Sequence, residues 1–344
     1  MRRIVIGTEK GAYLLSASGA SWTVEGPMFP GWKVTAFGQA PDGRHLAAVG
    51  SNWFGVGVHA SQDWTNWSQM ESAPSWPENQ GRKMDQIWAF HTDGDRLWAG
   101  VADAGLFTSD DGAMTWNPVE GLNEHRTRAD WHPGFGGLCA HRILMSGEQI
   151  WVGISAVGVF RSDDAGATWD AKNHGVPPVD AADNAAPPEV GYCVHGLSQD
   201  PDHPEKLWRQ DHQGVFRTVD AGDHWERIEN GLPAGFGFVM WRHPGSGRLL
   251  TLPLSSDENR VPVDGMLRAY VSDDEGDTWE IAGRGWPDAP QFTGTLRGAF
   301  DGDSDGQFCF GTTGGKLWVT GDGAETWEEL QPAFPRIAAV RIIE

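Results

Sequence analysis

An eight-residue motif, which we call the box, returns along the chain about every fifty residues, and this repeat constrains the fold more than any other feature. Its clearest copies are residues 162–169 and 272–279, with the pattern Ser-Asp-Asp-x-Gly-x-Thr-Trp. Residues 218–225 carry three substitutions, and residues 109–116 and 320–327 shift the glycine by one position. With two degenerate copies, the box tryptophans are Trp22, Trp67, Trp116, Trp169, Trp225, Trp279 and Trp327, at intervals of 45, 49, 53, 56, 54 and 48 residues.

Each box has the chemistry of a tight turn between two strands. A carboxylate such as Asp164 accepts backbone N–H groups of its own turn, and glycine adopts conformations that other residues resist. An apolar run containing a glycine turn precedes the boxes, as in residues 97–107 and 150–160. The unit therefore predicts strand, tight turn, strand, box turn and strand.

Seven such units predict an all-β, seven-bladed β-propeller of four-stranded antiparallel blades, because strand and turn signals alternate without a helical stripe. The chain enters on the second strand of unit one, and one more strand follows the last box at residues 336–343. We expect this strand to complete blade 1 and close the ring, which removes open strand edges. The predicted blades of this single domain are about residues 1–26 with 334–344, 32–70, 84–120, 137–172, 191–230, 237–283 and 294–331.

Charge and cysteine content exclude some partners and suggest a compartment. Asp and Glu number 47 against 26 Lys and Arg, and the net charge of −21 opposes binding to nucleic acid or to an anionic membrane. The start, Met1-Arg2-Arg3, has no signal-peptide pattern, and no apolar run is as long as a membrane span. Three cysteines fit a reducing compartment rather than a disulfide framework. We therefore expect a cytoplasmic protein.

The boxes resemble the Asp-box, or BNR, repeats of sialidases, sortilin-type receptors, xyloglucanases and a photosystem assembly factor. Gly7-Thr8-Glu9-Lys10-Gly11, Gly136-Gly137-Leu138-Cys139-Ala140-His141, Gly191-Tyr192-Cys193-Val194-His195 and Phe236-Gly237-Phe238 resemble segments of bacterial single-propeller proteins, usually labelled exo-alpha-sialidase or BNR-like repeat protein. The resemblance covers the whole chain and implies the propeller fold, with no established activity.

The same resemblance allows sialidase chemistry to be tested on individual residues. The family implies an arginine triad, a Tyr nucleophile with a Glu partner and an early Arg-Ile-Pro motif. Here Arg3-Ile4 is followed by Val5, and of the three tyrosines only Tyr192 is expected near a site. True sialidase activity is therefore not expected.

A binding site is expected on the face opposite the boxes. That face, which we call the loop face, carries the connections between blades and the turns between second and third strands. Enlarged segments fall there at residues 74–83, 124–133, 174–189 and 255–260, and enlargement favours a pocket. The predicted ligand-binding residues are His125, Arg126, Arg128, Trp131 and His132 in the 124–133 connection, and Arg297 in blade 7. For that connection, a plain solvated loop is the alternative.

Two neighbouring inner strands are predicted to present the same pair of side chains. Cys139 and His141 begin the first strand of blade 4, and Cys193 and His195 begin that of blade 5, so each pair points to one side. His212 lies in the second turn of blade 5, whose geometry does not require histidine. Together these five residues form a candidate site for a transition metal such as zinc.

Two other interpretations of these side chains remain open. In the first, a metal-free catalytic site uses His195 as general base with Asp211 as its orienting partner, assisted by His141, His212 and Arg260. In the second, the cysteines are small buried fillers and the histidines bond backbone carbonyls.

Three functions follow from these alternatives. The first is an intracellular enzyme, a hydrolase or lyase, or a small-molecule-binding protein with its site at the histidines. The second is a glycosidase-like hydrolase with a saccharide ligand, using two of Asp130, Asp211, Asp257 and Glu258. The third is a non-catalytic scaffold that binds a protein partner on one face.

Overall fold

The sheets of this protein are built from adjacent strands of the repeat. The computed structural model describes residues 3–19, 21–51, 53–178 and 187–343. Within them, seven four-stranded sheets form the blades of a propeller, and each strand pairs antiparallel with its neighbours. The predicted all-β, seven-bladed fold is therefore confirmed.

The first four blades lie in the first half of the chain, apart from one strand of blade 1. Blade 1 contains β1 (Arg3–Thr8), β2 (Gly11–Ser18) and β3 (Ser21–Met28). Blade 2 contains β4 (Lys33–Gln39), β5 (His45–Ser51), β6 (Gly55–Ser61) and β7 (Trp67–Gln69). Blade 3 contains β8 (Ile87–Asp93), β9 (Arg96–Val101), β10 (Gly105–Ser109) and β11 (Asn117–Pro118). Blade 4 contains β12 (Cys139–Ser146), β13 (Gln149–Ser155), β14 (Gly158–Ser162) and β15 (Asp170–Ala171).

The remaining blades follow the same order. Blade 5 contains β16 (Gly196–Gln199), β17 (Leu207–Gln210), β18 (Val215–Thr218) and β19 (Glu226–Arg227). Blade 6 contains β20 (Gly237–Arg242), β21 (Leu249–Pro253), β22 (Tyr270–Ser272) and β23 (Glu280–Ile281). Blade 7 contains β24 (Phe300–Gly302), β25 (Phe308–Gly311), β26 (Leu317–Thr320) and β27 (Glu328–Leu330), and β28 (Ile337–Ile343) follows.

Among the described residues, helical structure is confined to short connections. It consists of α1 (Glu120–Asn123) and three 3-10 turns (Glu78–Gln80, Arg128–Asp130 and Val263–Gly265). In the described part of the chain, no helix has the length and apolar character needed to cross a bilayer.

The ring closes where the two ends of the chain meet in one sheet. Strand β28 pairs antiparallel with β1, with Val340 opposite Ile6, and the strand order of this sheet is β28-β1-β2-β3. The innermost strand of blade 1 thus comes from the other end of the chain, as predicted.

The core is divided among the interfaces between adjacent blades. Blades 4 and 5, for example, share a buried cluster that includes Trp151, Leu197 and Phe216. The indole N–H of Trp151 is hydrogen-bonded as well, since it donates to the Ala221 carbonyl oxygen of the next box at 2.9 Å. Because each interface needs both partners, a closed ring buries all of them.

The box turn has the bonding that its sequence predicts. Asp164 Oδ1 accepts the backbone N–H of Thr168 at 2.8 Å, and its Oδ2 accepts the Thr168 hydroxyl at 2.6 Å. Ser162 Oγ accepts the Gly166 N–H at 2.9 Å, and the Trp169 indole donates to the Gly166 carbonyl oxygen at 3.0 Å. Both oxygens of the box carboxylate are therefore hydrogen-bonded within its own turn.

Candidate functional site

The loop-face end of the central channel brings together side chains from blades 5, 6 and 7, and we call this cluster the mouth. The mouth consists of Cys193, His195, His212, Phe238, Asp257, Arg260 and Arg297. The 174–189 connection is also predicted on this face, but its residues 179–186 lie outside the described residues.

His195 is held rigidly in a single orientation. It is buried at 2% exposure, and its ring stacks on Phe238 with centroids 4.1 Å apart. Its Nδ1 lies 2.9 Å from the Gly237 carbonyl oxygen, which can only accept, so Nδ1 carries the proton and Nε2 keeps its lone pair. Burial, with His212 and Arg297 nearby, holds the pKa of His195 well below its ordinary value. The ring is therefore neutral, with one free acceptor.

The start of blade 5 differs from the prediction for a structural reason. Strand β16 begins at Gly196 rather than Cys193, because the preceding carbonyl groups bond side chains instead of a neighbouring strand. Arg209 Nη2 donates to the Cys193 carbonyl oxygen at 2.8 Å, and His141 Nε2 donates to that of Val194 at 2.7 Å. This irregular segment aims Cys193 and His195 at the mouth.

His212, Asp257 and Arg260 contact one another in series at the rim of the mouth. The His212 and His195 rings are 4.7 Å apart, and His212 Nε2 lies 3.6 Å from Asp257 Oδ1. The same Asp257 oxygen accepts from Arg260 Nη2 at 2.5 Å. Burial lowers the pKa of His212, and Asp257 opposes that shift. Asp257 thus neutralises Arg260 and leaves no full negative charge for His212.

Arg297 is a buried cation that has no anionic or hydrogen-bonding partner among the described residues. Its residue is 8% exposed, and its guanidinium lies 5.1 Å from the Trp88 ring and 5.5 Å from the Phe238 ring. Within the described residues, no carboxylate or hydrogen-bond acceptor contacts this guanidinium, and Nε is fully enclosed and unbonded. Burial lowers its pKa. Gly136 allows the approach, because a Cβ there would overlap the guanidinium.

Cys139 and His141 are not part of the group of three donors, although the charge of Arg297 reaches both of them. His141 donates through Nε2 to a backbone carbonyl, its Nδ1 is buried without a partner, and burial lowers its pKa to about 3. The Cys139 thiol donates to the Gly136 carbonyl oxygen at 3.1 Å, and burial raises its pKa to about 11. Of the five predicted metal ligands, the structure gathers Cys193, His195 and His212.

Asp211 is bonded away from both histidines. Its Oδ2 accepts from Arg209 Nη2 at 2.7 Å, and its Oδ1 accepts the backbone N–H groups of Gln213 and Gly214. Arg209 and Asp211 are both fully buried. Burial raises the pKa of Asp211, and Arg209 opposes that rise. The structure therefore does not pair His195 with Asp211, since the His195 Nδ1 proton goes to Gly237.

The predicted ligand-binding connection packs between blades 3 and 4. His125 and Trp131 are buried, at 6% each, beside Phe160. His125 Nε2 lies 3.1 Å from the Trp169 carbonyl oxygen and 2.8 Å from Arg126 Nη1, and Arg128 donates to the Ala104 carbonyl oxygen at 2.6 Å.

The two other members of that connection point outward. Arg126 forms an ion pair with Glu189 at 2.5 Å, and its side chain is 61% exposed. His132 is exposed as well. Four of the six predicted ligand-binding side chains thus bond within the loop region, His132 faces solvent, and Arg297 alone reaches the mouth.

Sequence reasoning missed the aromatic side chains that the loop-face connections expose. Phe54, Phe135 and Phe292 are 80%, 93% and 76% exposed. Their signal was an aromatic residue placed among glycines and prolines, as in Pro133-Gly134-Phe135-Gly136. Phe54 and Trp32, with ring centroids 5.7 Å apart, line a cleft of about 300 Å³ on blades 1 and 2.

Comparison with known proteins supports the architecture. No family model matches the chain, so the Asp-box resemblance stays a prediction. The oligoxyloglucan-reducing end-specific xyloglucanase of Emericella nidulans is 33% identical over 78 residues, which are 22% of this chain and 9% of that enzyme. The chain thus matches less than a tenth of that relative's length.

Two solved structures share the fold at low identity. YCF48 bound to a D1 peptide is 14% identical with a TM-score of 0.55, over 87% of this chain and 84% of that one. An ancestral GH74 enzyme is 12% identical with a TM-score of 0.51, over 89% of this chain and 37% of that one. Both show the propeller alone.

Proposed function

We propose that the protein binds a small molecule with an anionic group at the mouth, where Arg297 neutralises that group. The observation that supports this is the unpaired, nine-tenths buried guanidinium described above. Burying an ionised group without a partner costs roughly several kcal/mol, so an uncompensated charge of this kind is retained at the expense of stability. A carboxylate or phosphate supplies the missing partner, because guanidinium donors match both groups in two-point geometry.

The groups around Arg297 add specificity for the rest of the ligand. His195 Nε2 and the Asp257 carboxylate accept hydrogen bonds, so they favour hydroxyl or amine donors on the same molecule. Phe238 is fully buried and stacks on His195, so it fixes that ring rather than contacting the ligand. The site therefore fits a ligand with one anionic end and several hydroxyl groups.

The test uses inorganic phosphate, acetate, malonate and citrate as probes in titration calorimetry and thermal unfolding. Binding raises the unfolding temperature of the wild type by mass action. We expect Arg297→Met to abolish this rise and Arg297→Lys to weaken it, because lysine keeps the charge but loses the planar donor pair. Arg126→Met, at an exposed arginine on the same face, is the control. Equal binding of all probes by Arg297→Met and the wild type would overturn the proposal.

A glycosidase-like hydrolase that acts on xyloglucan-type saccharides is the second candidate. The 78-residue match to a xyloglucanase favours it, and the aromatic cleft at Trp32 and Phe54 offers stacking surfaces for sugar rings. Incubation with xyloglucan oligosaccharides, followed by mass spectrometry of the products, tests the activity. We expect cleavage products with the wild type and reduced binding in Trp32→Ala. Intact oligosaccharides together with no measurable binding would exclude this candidate.

A further inference from the structure

We propose that Cys193, His195 and His212 form a binding site for a zinc-type divalent ion at the mouth. One donor atom from each residue lies within 4.8 Å of the other two. A tetrahedral zinc ion with bonds of about 2.3 Å to sulfur and 2.0–2.1 Å to nitrogen holds its donors roughly 3.5 Å apart. Contraction by about 1 Å would close the site, and His212 lies in a turn whose side chain is 22% exposed.

The orientation of His195 is the strongest feature of the site. Its Nδ1 proton is engaged by the Gly237 carbonyl oxygen, and its ring is fixed against Phe238. Metal-binding histidines are typically fixed in this way, with the second ring nitrogen donating to a carbonyl or carboxylate. The remaining Nε2 lone pair is a ligand for a metal but not for an anion. His195 Nε2 therefore binds either a hydroxyl group of the ligand or a metal ion, whereas Arg297 binds the anionic group.

The neighbouring blade shows what the site requires beyond a Cys–His pair. Cys139 and His141 have the same spacing, but His141 spends Nε2 on a backbone carbonyl and the adjacent turn of blade 4 carries Ala156 and Val157. No third ligand reaches that pair among the described residues. Blade 4 is thus an internal control for blade 5.

The charges at the mouth determine how strongly an ion is held. Arg297 opposes a cation, since its positive charge reaches both Cys193 and His195. The Cys193 thiolate offsets this charge, because the thiol releases its proton to water when it binds the ion. Three protein ligands leave a fourth position of the tetrahedron open, which is typical of reactive rather than purely structural zinc sites.

The experiment measures Zn²⁺ content of the purified full-length protein and Co²⁺ binding to the chelator-treated protein by visible absorption. We expect one equivalent of metal, with thiolate-to-cobalt charge transfer and the intense d–d bands of a tetrahedral site. Cys193→Ser should remove the charge-transfer band. His212→Ala should lower the affinity by more than the roughly 10–100-fold loss that follows removal of a group hydrogen-bonded to a ligand. Cys139→Ser should change neither.

Folding of each variant is checked by near-ultraviolet circular dichroism, and His212, whose side chain is partly exposed in a turn, provides a variant expected to fold. Absence of saturable Co²⁺ and Zn²⁺ binding in the wild type would overturn the proposal. So would undiminished binding in both Cys193→Ser and His212→Ala, or equal losses in Cys193→Ser and Cys139→Ser. Anion binding through Arg297 is measured separately, so failure of one proposal leaves the other standing.

Discussion

Two buried arginines show how a single residue can be assigned to stability or to function. Arg209 is fully buried and bonded to Asp211, Asn173 and the Cys193 carbonyl oxygen. Arg297 is buried to nearly the same degree without such bonds. The first completes a network, whereas the second carries a charge that no acceptor among the described residues satisfies.

Replacement of each arginine by methionine should therefore have opposite effects. Arg297→Met is expected to raise the free energy of unfolding by roughly 1–3 kcal/mol, the usual cost of an unsatisfied buried polar group. Arg209→Met is expected to lower it by roughly 3–5 kcal/mol, because Asp211 is left buried and unpaired. Urea unfolding of both variants without added anions checks this. Destabilisation by Arg297→Met would contradict the interpretation of Arg297.

The spacing of chemistry-bearing residues predicted some of the side-chain neighbours in the candidate site and not others. The matching Cys–His pairs and His212 could be found by counting back from the box tryptophans. Their division into Cys193–His195–His212 and a separate pair could not, because it depends on which ring nitrogen meets a carbonyl. The ion pair between Arg209 and Asp211 could not be predicted either, because the sequence does not show that both side chains are buried against each other within blade 5.

At the scale of an element, the structure explains why the box glycine occupies either of two positions. The turn contains two consecutive residues with positive φ. These are Ala165 (54°) and Gly166 (93°) in one box, and Gly112 (68°) and Ala113 (75°) in another. Glycine relieves the strain at one position of the pair, and a small residue tolerates the other. The boxes with the shifted glycine thus form the same turn, and glycine relieves the backbone strain at the neighbouring position of the pair.

The box carboxylates should make stability depend on pH in acid. Hydrogen bonds from the Thr168 hydroxyl and backbone N–H and from Ser162 lower the pKa of Asp164 from 3.8 to about 2, and similar bonds lower those of Asp111 and Asp274 to about 2. Since the folded pKa lies below the unfolded one, this stabilisation is complete above pH 3.8 and is lost as pH falls towards 2.

Unfolding by urea at pH values from 6 to 2 tests that element, with Asp164→Asn as the matched variant. Asparagine keeps one acceptor oxygen, but its NH₂ group cannot accept the Thr168 hydroxyl. We expect the variant to be less stable than the wild type at pH 6 and the difference to narrow below pH 3.8. A difference that is constant over the whole range would show that the carboxylate charge contributes nothing.

The 124–133 connection should behave as a packed interface rather than a ligand-binding lid. Trp131→Ala is expected to lower the free energy of unfolding by roughly 3–5 kcal/mol, the usual cost of removing a buried tryptophan. Arg126→Ala should change it by less than about 1 kcal/mol, because its ion pair with Glu189 is exposed. Both values come from chemical denaturation. Loss of anion binding in Arg126→Ala with unchanged stability would contradict this prediction and would show that the connection takes part in ligand binding.

At the scale of the whole molecule, the repeat predicted more than any single residue could. Seven evenly spaced tryptophans determined the number of blades, and the strand after the last box determined the closure, because both depend only on order along the chain. The mouth depends instead on which side chains cross the central channel. Arg297 of blade 7 lies between Trp88 of blade 3 and Phe238 of blade 6, and no local pattern relates these positions.

Ring closure depends on β28, the strand that pairs with β1, and truncation of this strand tests it. Deletion of residues 337–343 removes the inner strand of blade 1, exposes the edge of β1 and takes Ile337 and Val340 from the cluster between blades 7 and 1. Each of these side chains contributes roughly 1.5–3 kcal/mol by burial, a large share of a typical total of about 5–15 kcal/mol. We expect the truncated protein to self-associate or unfold, as seen by light scattering and circular dichroism. A synthetic peptide of residues 336–343 should restore the monomer, and the same peptide with Val340→Asp should not. A truncated protein that stays monomeric with an unchanged unfolding temperature would show that the ring does not need its closing strand.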